Sequence, residues 1–147
     1  MMKSKTEEAL EQFKQGYNCA QSILTTYGKD YGLDRTTALK VATGFGAGMG
    51  RQLDTCGMLT GAYMVIGMKH SMTHPDEKKS REASIILIRK LTKEFSEKHG
   101  DHRCGGLTGY SALNTEEDIQ KFGNDPARAE ICRSCLRTVA SFLETNL

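Results

Sequence analysis

The apolar residues in the N-terminal segment have the spacing of an amphipathic helix. Within residues 7–27 they recur three or four positions apart, which gives a helix one apolar side. The positions are Leu10, Phe13, Tyr17, Ala20, Leu24 and Tyr27. Gly16 and Asn18 interrupt this stripe, so we expect the segment to break into two helices.

A shorter helix is predicted after the turn-forming residues 28–32. Asp34 suits its N-cap, because a carboxylate accepts hydrogen bonds from the unpaired N–H groups of a first turn, and the helix should continue through Thr43. Residues 44–50 then read GFGAGMG, with glycine at every second position. This run favours neither helix nor strand and predicts a tight connection.

A central helix is predicted where the chain reads CGMLTGAYMVIGM. Asp54 or Thr55 is the expected N-cap, and the helix should extend to about Ser71. It is apolar on nearly every face, which suits a buried position. Gly57 and Gly61 lie four residues apart on one face and would let a neighbouring helix approach closely.

The next predicted helix is long. Pro75 stands at a favoured first-turn position, and the helix should run to about His99, where Gly100 ends it. Its predicted inner stripe consists of Ile85, Ile88, Leu91, Thr92 and Phe95.

Residues 101–114 are rich in glycine and polar side chains. They are predicted to form an ordered loop that carries Cys104. Asn114 or Thr115 can then open a short helix that ends at Phe122.

The last helix is predicted to start near Pro126 and to run almost to the end of the chain. Cys132 and Cys135 lie on its apolar side and are expected to face the core. The sequence has no convincing apolar–polar alternation, repeat or linker. It therefore predicts one all-α domain, residues 1–147, built as a compact bundle of five or six helices around the buried central helix.

Composition narrows the classes of partner. The chain has 20 Lys and Arg against 18 Asp and Glu, so its formal charge is only +2, and we do not expect it to bind nucleic acid. The first residues lack the apolar run of a signal peptide, and the longest uncharged apolar stretch, 55–68, is too short to span a bilayer. We therefore expect a cytoplasmic protein without membrane insertion.

The five cysteines, at positions 19, 56, 104, 132 and 135, are the residues best suited to chemistry. An odd number in a chain without an export signal disfavours a purely structural disulfide framework. Each thiol has an alternative interpretation as a small buried apolar residue.

Cys56 has the most distinctive local position. The predicted caps place it in the first turn of the central helix, where unpaired N–H groups and the helix dipole favour a thiolate. Arg51 would add to this effect and Asp54 would oppose it. The alternative is an inert thiol packed where the helix meets the glycine-rich turn.

Cys132-Arg-Ser-Cys135 has the CxxC spacing of a redox dithiol or of two metal ligands. In mid-helix it lacks the strained turn of thioredoxin-like proteins, so packing is the favoured role for at least one of the two. With Cys104 and His102 the pair would complete a tetrahedral Cys3His zinc set, provided that the loop lies against the last helix.

The glycine-rich run is similar in composition to loops that cradle phosphate, because Gly44, Gly46, Gly48 and Gly50 precede Arg51. It follows a helical pattern instead of a strand and matches no phosphate-loop motif. Close packing of helices is the preferred interpretation of its glycines.

Four segments together resemble the C_GCAxxG_C_C family of redox-active proteins, over nearly the whole chain. The segments are YNCAQSIL, GFGAGMGRQLDTCGMLTG, the region of the third cysteine, and CLRTVASFLE. By the residues that follow them, the family's four cysteines correspond to Cys19, Cys56, Cys104 and Cys135, which leaves Cys132 as an extra one.

The most specific part of this resemblance is Cys56-Gly57-Met58-Leu59-Thr60-Gly61, which is similar to the family's CGAxxG motif. Met58 stands where the motif has alanine. The candidate cofactor-binding positions are the motif residues Gly44, Gly46, Gly48, Gly50, Arg51, Gly57 and Gly61.

The resemblance implies a cytosolic thiol redox protein, and a thiol-disulfide oxidoreductase is the candidate activity. The four matched cysteines would be its site. In this hypothesis Cys56, as thiolate, attacks a disulfide or an oxidant, and Cys19 is the first candidate to resolve the mixed disulfide.

Two alternatives remain open. The four matched cysteines would instead ligate an iron–sulfur cluster or zinc, or they would be inert in a helical interaction protein that forms a homodimer through an exposed face. Genes of family members often lie near transporter genes, which implies association with a transporter system. The sequence identifies no redox partner.

Overall fold

The all-α prediction is confirmed, with 74% of the protein in helices. The computed structural model describes residues 2–147, and within that range no strand forms. The described residues form eight α-helices, more than the five or six predicted: α1 Lys5–Lys14, α2 Cys19–Gly28, α3 Arg35–Ala42, α4 Gly57–Thr73, α5 Glu77–His99, α6 Cys104–Thr108, α7 Glu116–Gly123 and α8 Pro126–Asn146. Two short 3₁₀ turns, Lys29–Tyr31 and Thr43–Phe45, follow α2 and α3.

The predicted break in the first amphipathic segment is confirmed. Gly16 has a φ of +100°, and Asn18 caps the second helix, because its Oδ1 accepts a hydrogen bond from the Gln21 N–H at 2.8 Å. The Gln21 side chain in turn accepts from the Asn18 N–H at 2.9 Å. This reciprocal capping box fixes the start of α2 and therefore the position of Cys19, its first residue.

The central helix is confirmed, but its predicted N-cap is wrong. Cys56 is the N-cap, and α4 extends to Thr73, two residues beyond the predicted end. The backbone just before Cys56 bonds instead to the start of α6, since the Cys104 N–H donates to the Asp54 carbonyl at 2.7 Å and the Cys56 N–H donates to the His102 carbonyl at 2.9 Å. This pairing keeps Asp54 and Thr55 extended and out of the helix.

Helices α2 and α4 pack closely through two glycines, as their spacing predicted. A Cβ atom on Gly57 would lie 2.8 Å from the Cys19 Cβ, and one on Gly61 would lie 2.9 Å from the Ala20 carbonyl oxygen. Real side chains do not come so close, so both positions require glycine. Met58, in place of the motif's alanine, is fully buried.

Helix α5 differs from its prediction at the N-terminal end. Asp76 is the N-cap, so Pro75 precedes the helix instead of occupying its first turn. Leu91 and Phe95 are fully buried as predicted, but Ile85 is 43% exposed. Ser84, one position earlier, takes the inward place, because its hydroxyl can donate to the Ser80 carbonyl one turn before.

Most of the predicted features of the C-terminal helices are confirmed. Thr115 caps α7, and α8 carries Pro126 in its first turn, with Cys132 and Cys135 7% and 1% exposed. The predicted loop 101–114 is only partly irregular, since it contains the five-residue helix α6. No helix within residues 2–147 combines the length and apolar character needed to cross a bilayer.

Candidate functional site

Four of the five cysteines line one cleft at an end of the bundle. The cleft has a volume of about 810 Å³ and lies among the start of α2, the glycine-rich turn, α6, α7 and the first half of α8. We call it the thiol cleft, and the cysteines in its wall are Cys19, Cys56, Cys104 and Cys132. Cys135 lies behind this wall.

The glycine-rich turn forms one side of the thiol cleft. Residues 47–51 all have φ between 48° and 69°, a left-handed stretch that includes the non-glycine residues Ala47, Met49 and Arg51. Non-glycine residues there cost on the order of 1–3 kcal/mol each, a cost that is tolerated where the surrounding structure enforces the conformation. Backbone bonds close the turn, with the Arg51 N–H donating to the Gly46 carbonyl at 2.9 Å. The predicted tight connection is therefore confirmed.

Gly48 brings this turn against Cys104. A Cβ atom on Gly48 would lie 2.5 Å from the Asp54 nitrogen and 2.7 Å from the Cys104 Cβ, so only glycine fits. Of the candidate cofactor-binding positions, the structure places five in the wall of the cleft: Gly46, Gly48, Gly50, Arg51 and Gly57. Gly44 and Gly61 do not line it.

The surroundings of Cys132 favour its ionised form. The Cys19 thiol hydrogen-bonds to it, and the Nη1 atom of Arg128 lies 3.5 Å from its Sγ atom as a second donor. These contacts, in that order of importance, lower the pKa of Cys132 to about 6, against the opposing effect of burial. At neutral pH Cys132 is therefore mainly a thiolate.

Cys19 has the opposite shift. Its hydrogen bond to Cys132 and its burial raise the pKa of the Cys19 thiol well above the ordinary value. Cys19 therefore keeps its proton while Cys132 is reduced and ionised. The two sulfurs form an acid–base pair, in which one thiol donates to the neighbouring thiolate.

The guanidinium of Arg128 is held in place by the end of α7. Its Nε donates to the Phe122 carbonyl at 3.0 Å and its Nη2 to the Gly123 carbonyl at 3.3 Å. The same group lies over the Phe122 ring, 4.6 Å from the ring centre. These contacts leave Nη1 directed at the Cys132 sulfur.

Cys56 and Cys135 form a second, deeper pair. A hydrogen bond with Cys56 and burial raise the pKa of Cys135 far above its ordinary value. Cys104 has no such thiol contact, but burial raises its pKa to about 12. Both Cys104 and Cys135 are consequently protonated at neutral pH.

These contacts change the arrangement expected from the sequence. Cys56 is the N-cap of α4 instead of a first-turn residue, and its direct thiol partner is Cys135. Cys19 directly contacts Cys132, the cysteine outside the family pattern. The two cysteines of the CxxC sequence therefore belong to different thiol pairs.

The predicted Cys3His zinc set is not assembled. The His102 ring lies 3.8 Å from the Asp101 carboxylate, and its side chain is 45% exposed. Across residues 2–147, no three or more His, Cys, Asp and Glu side chains are grouped so as to hold a metal ion. The iron–sulfur alternative stays a prediction.

Sequence reasoning missed Arg128 as a site residue. A signal was present, because Arg128 precedes Cys132 by four positions on one helix and such residues face each other. The contact between Cys19 and Cys132 had no such signal, since the two lie more than a hundred positions apart and meet only through the packing of α2 beside α8.

Comparison of the chain with known proteins supports the resemblance found in its cysteine motifs. No curated protein and no solved structure matches it. A family model matches residues 17–146, nearly the whole chain and every cysteine. The protein therefore belongs to the family described as "Putative redox-active protein (C_GCAxxG_C_C)".

Proposed function

We propose that this protein performs thiol–disulfide exchange, with Cys132 as the attacking thiolate and Cys19 as the resolving thiol. The observation that carries the proposal is the position of the Cys132 sulfur in the wall of an open cleft, 3.5 Å from the Nη1 atom of Arg128, where Arg128 and the neighbouring Cys19 thiol lower its pKa. Family membership supports the redox role in general terms.

The nucleophile in this proposal is Cys132 instead of Cys56. A nucleophilic cysteine needs a high thiolate fraction at neutral pH and access to its substrate. Cys132 has a lowered pKa and lines the cleft. Cys104 and Cys135 have raised pKa values and are therefore poor nucleophiles at neutral pH.

The exchange takes two steps. The Cys132 thiolate attacks one sulfur of a disulfide, a bond forms between these sulfurs, and the other sulfur leaves as a thiolate that takes a proton from solvent. The Cys19 thiol then loses its proton to solvent and attacks the Cys132 sulfur. The mixed disulfide bond breaks, and the second substrate sulfur leaves as a thiolate that takes a proton from solvent. Two electrons pass to the substrate, and Cys19 and Cys132 end as a disulfide that a dithiol reductant would return to thiols.

The contacts of Cys19 fit the second step. While Cys132 is a thiolate, the hydrogen bond and the negative charge on its sulfur raise the pKa of Cys19. Once Cys132 has formed a mixed disulfide, that charge is gone. Cys19 is the first residue of the ten-residue helix α2, where the helix dipole then favours its ionisation.

The test is to identify which thiols a disulfide consumes. Reduced protein, kept anaerobic, is mixed with one equivalent of the neutral reagent bis(2-hydroxyethyl) disulfide, alkylated, digested and analysed by mass spectrometry. We expect the Cys19–Cys132 disulfide to form first. Cys19→Ala should instead accumulate a mixed disulfide on Cys132.

Alanine at the two CxxC positions provides a matched pair of variants, one turn apart on α8. Cys132→Ala should abolish the fast reaction, whereas Cys135→Ala should still form the Cys19–Cys132 disulfide. If a disulfide between Cys56 and Cys135 forms before the Cys19–Cys132 disulfide, the proposal is overturned. So would stoichiometric iron or zinc bound through these thiols in anaerobically purified protein.

A further inference from the structure

The wall of the thiol cleft carries more positive than negative charge, since the Cys132 thiolate balances only one of its cations. Lys14, Arg51 and Arg128 line it, and no Asp or Glu side chain of residues 2–147 does so. From this asymmetry we propose that the cleft selects small disulfides that carry carboxylate groups. This inference rests on the proposed exchange function and adds its substrate class.

Lys14 and Arg51 are available to a ligand, whereas the charge of Arg128 is balanced by the Cys132 thiolate that it contacts. Within the described part of the chain, none of these three forms an ion pair with a carboxylate. A fourth cation in the wall, Arg133, is neutralised by Glu130 at 2.9 Å and is not counted. The formal charge of the whole chain is only +2, so this field is local to the cleft.

The cations come from three separate parts of the fold. Lys14 is the last residue of α1, Arg51 ends the left-handed turn, and Arg128 lies in the first turn of α8. Lys14 and Arg51 are exposed, whereas Arg128 is partly buried beside the Cys132 sulfur. A ligand that places its reacting sulfur at Cys132 can therefore direct charged groups toward Lys14 and Arg51 at the mouth.

The size and remaining lining of the cleft fit a small molecule. Its volume of about 810 Å³ falls in the range of small-ligand pockets, roughly 300–1,000 Å³. Phe13, Leu107 and Ile119 add apolar surface that methylene groups of a ligand can cover. A short disulfide with a carboxylate at each end has this combination of apolar middle and anionic ends.

The test compares three disulfides of nearly equal size that differ in charge: dithiodipropionate (anionic), bis(2-hydroxyethyl) disulfide (neutral) and cystamine (cationic). The second-order rate of oxidation of reduced protein is measured with each and divided by the rate of mercaptoethanol with the same disulfide. This division removes the intrinsic reactivity of the reagents. We expect the corrected rate to be at least about tenfold higher for the anion than for the cation at low ionic strength.

Added salt and charge-removing variants then test whether Lys14 and Arg51 cause the preference for the anionic disulfide. Added salt should reduce the anion-to-cation ratio, because it screens exposed charges. The double variant Lys14→Gln with Arg51→Asn should bring the ratio close to one, and asparagine tolerates the left-handed backbone at position 51. The matched control, Arg89→Gln with Lys93→Gln, removes the same charge from the exposed face of α5 and should leave the ratio unchanged.

The possible results separate this inference from the proposed function. Equal corrected rates for the three reagents would overturn the anion preference and leave the exchange function standing. An equal loss of preference in the control variant would also overturn it, because the effect would then follow total charge and not the cleft. Failure of all three reagents to oxidise Cys19 and Cys132 would overturn the exchange function itself.

Discussion

The Nη1 atom of Arg128 lies 3.5 Å from the Sγ atom of Cys132, four residues further along α8. This contact places a cation beside the sulfur of a residue that is 7% exposed, and with the Cys19 thiol it lowers the pKa of Cys132 to about 6. The proposed exchange depends on this arrangement, and the first prediction tests it directly.

Arg128→Met should raise the pH at which Cys132 becomes reactive. In the parent, the alkylation rate of Cys132 should rise with a midpoint near pH 6. Loss of the guanidinium should move this midpoint up by about one unit, equivalent to about 1.4 kcal/mol. Peptide-resolved alkylation across pH measures it. Arg137→Met, on an exposed part of the same helix, should leave the midpoint unchanged, and equal midpoints in parent and Arg128→Met would contradict the role of Arg128.

Gly61→Ala should destabilise the fold, because its new Cβ would lie 2.9 Å from the Ala20 carbonyl oxygen. Overpacking of this kind costs about 1–3 kcal/mol. Gly67→Ala, in the same helix, meets no atom within 4 Å and should stabilise the protein by about 0.4–1 kcal/mol. Urea denaturation of both variants gives the comparison. Similar effects of the two substitutions would mean that α2 and α4 do not approach closely at Gly61.

Asn18→Ala should loosen the start of α2. Its side chain caps the helix and also donates to the carbonyls of Ala42 and Thr43 at 3.2 and 3.3 Å. Loss of the cap alone costs about 1 kcal/mol, and the two further bonds increase this cost. Ser4→Ala removes only a cap, that of α1, and should cost less in the same urea experiment. A smaller loss for Asn18→Ala would show that the bonds to the end of α3 contribute nothing.

The raised pKa of Cys104 makes stability fall at alkaline pH. An unfolded chain loses this thiol proton near the ordinary pKa of 9.0, whereas the folded protein keeps it up to about 12. Unfolding between these values releases a proton, so the stabilisation is complete below pH 9 and is lost as the pH rises toward 12.

Cys104→Ala should therefore lose less stability than the parent between pH 8.5 and 10.5, by about 2 kcal/mol. Urea denaturation in the presence of a phosphine reductant at the two pH values measures this difference. The constant cost of the substitution cancels, because only the change with pH is compared. Equal losses of unfolding free energy between the two pH values in the parent and in Cys104→Ala would contradict the raised pKa of Cys104.

The sequence was a good guide to the helices whose signals are local. The cap at Asp34, the break at Gly16 and Asn18, and the end of α5 at Gly100 all depend on a few neighbouring residues, and each was predicted. Ile85 was misplaced because periodicity alone does not show which side of a half-apolar helix faces the neighbour.

At the site, too, the sequence showed the residue type but not which side chains contact one another. That cysteines form the site was predicted from their number and from the family motif, and the redox family is confirmed. The pairing was not predictable, because two thiols on one helix turn, Cys132 and Cys135, contact different partners. Which partner each contacts depends on the rotation of α8 against α2 and α4.

By itself, then, the sequence determined the all-α class, most helix boundaries and the residue type that marks the candidate site, since these follow from local spacing, caps and composition. Tertiary structure alone decided that Cys56 is an N-cap, that Cys19 contacts Cys132, and that cations but no carboxylates of residues 2–147 line the cleft. These features depend on backbone pairing and helix packing between segments distant in sequence, and no local pattern records them.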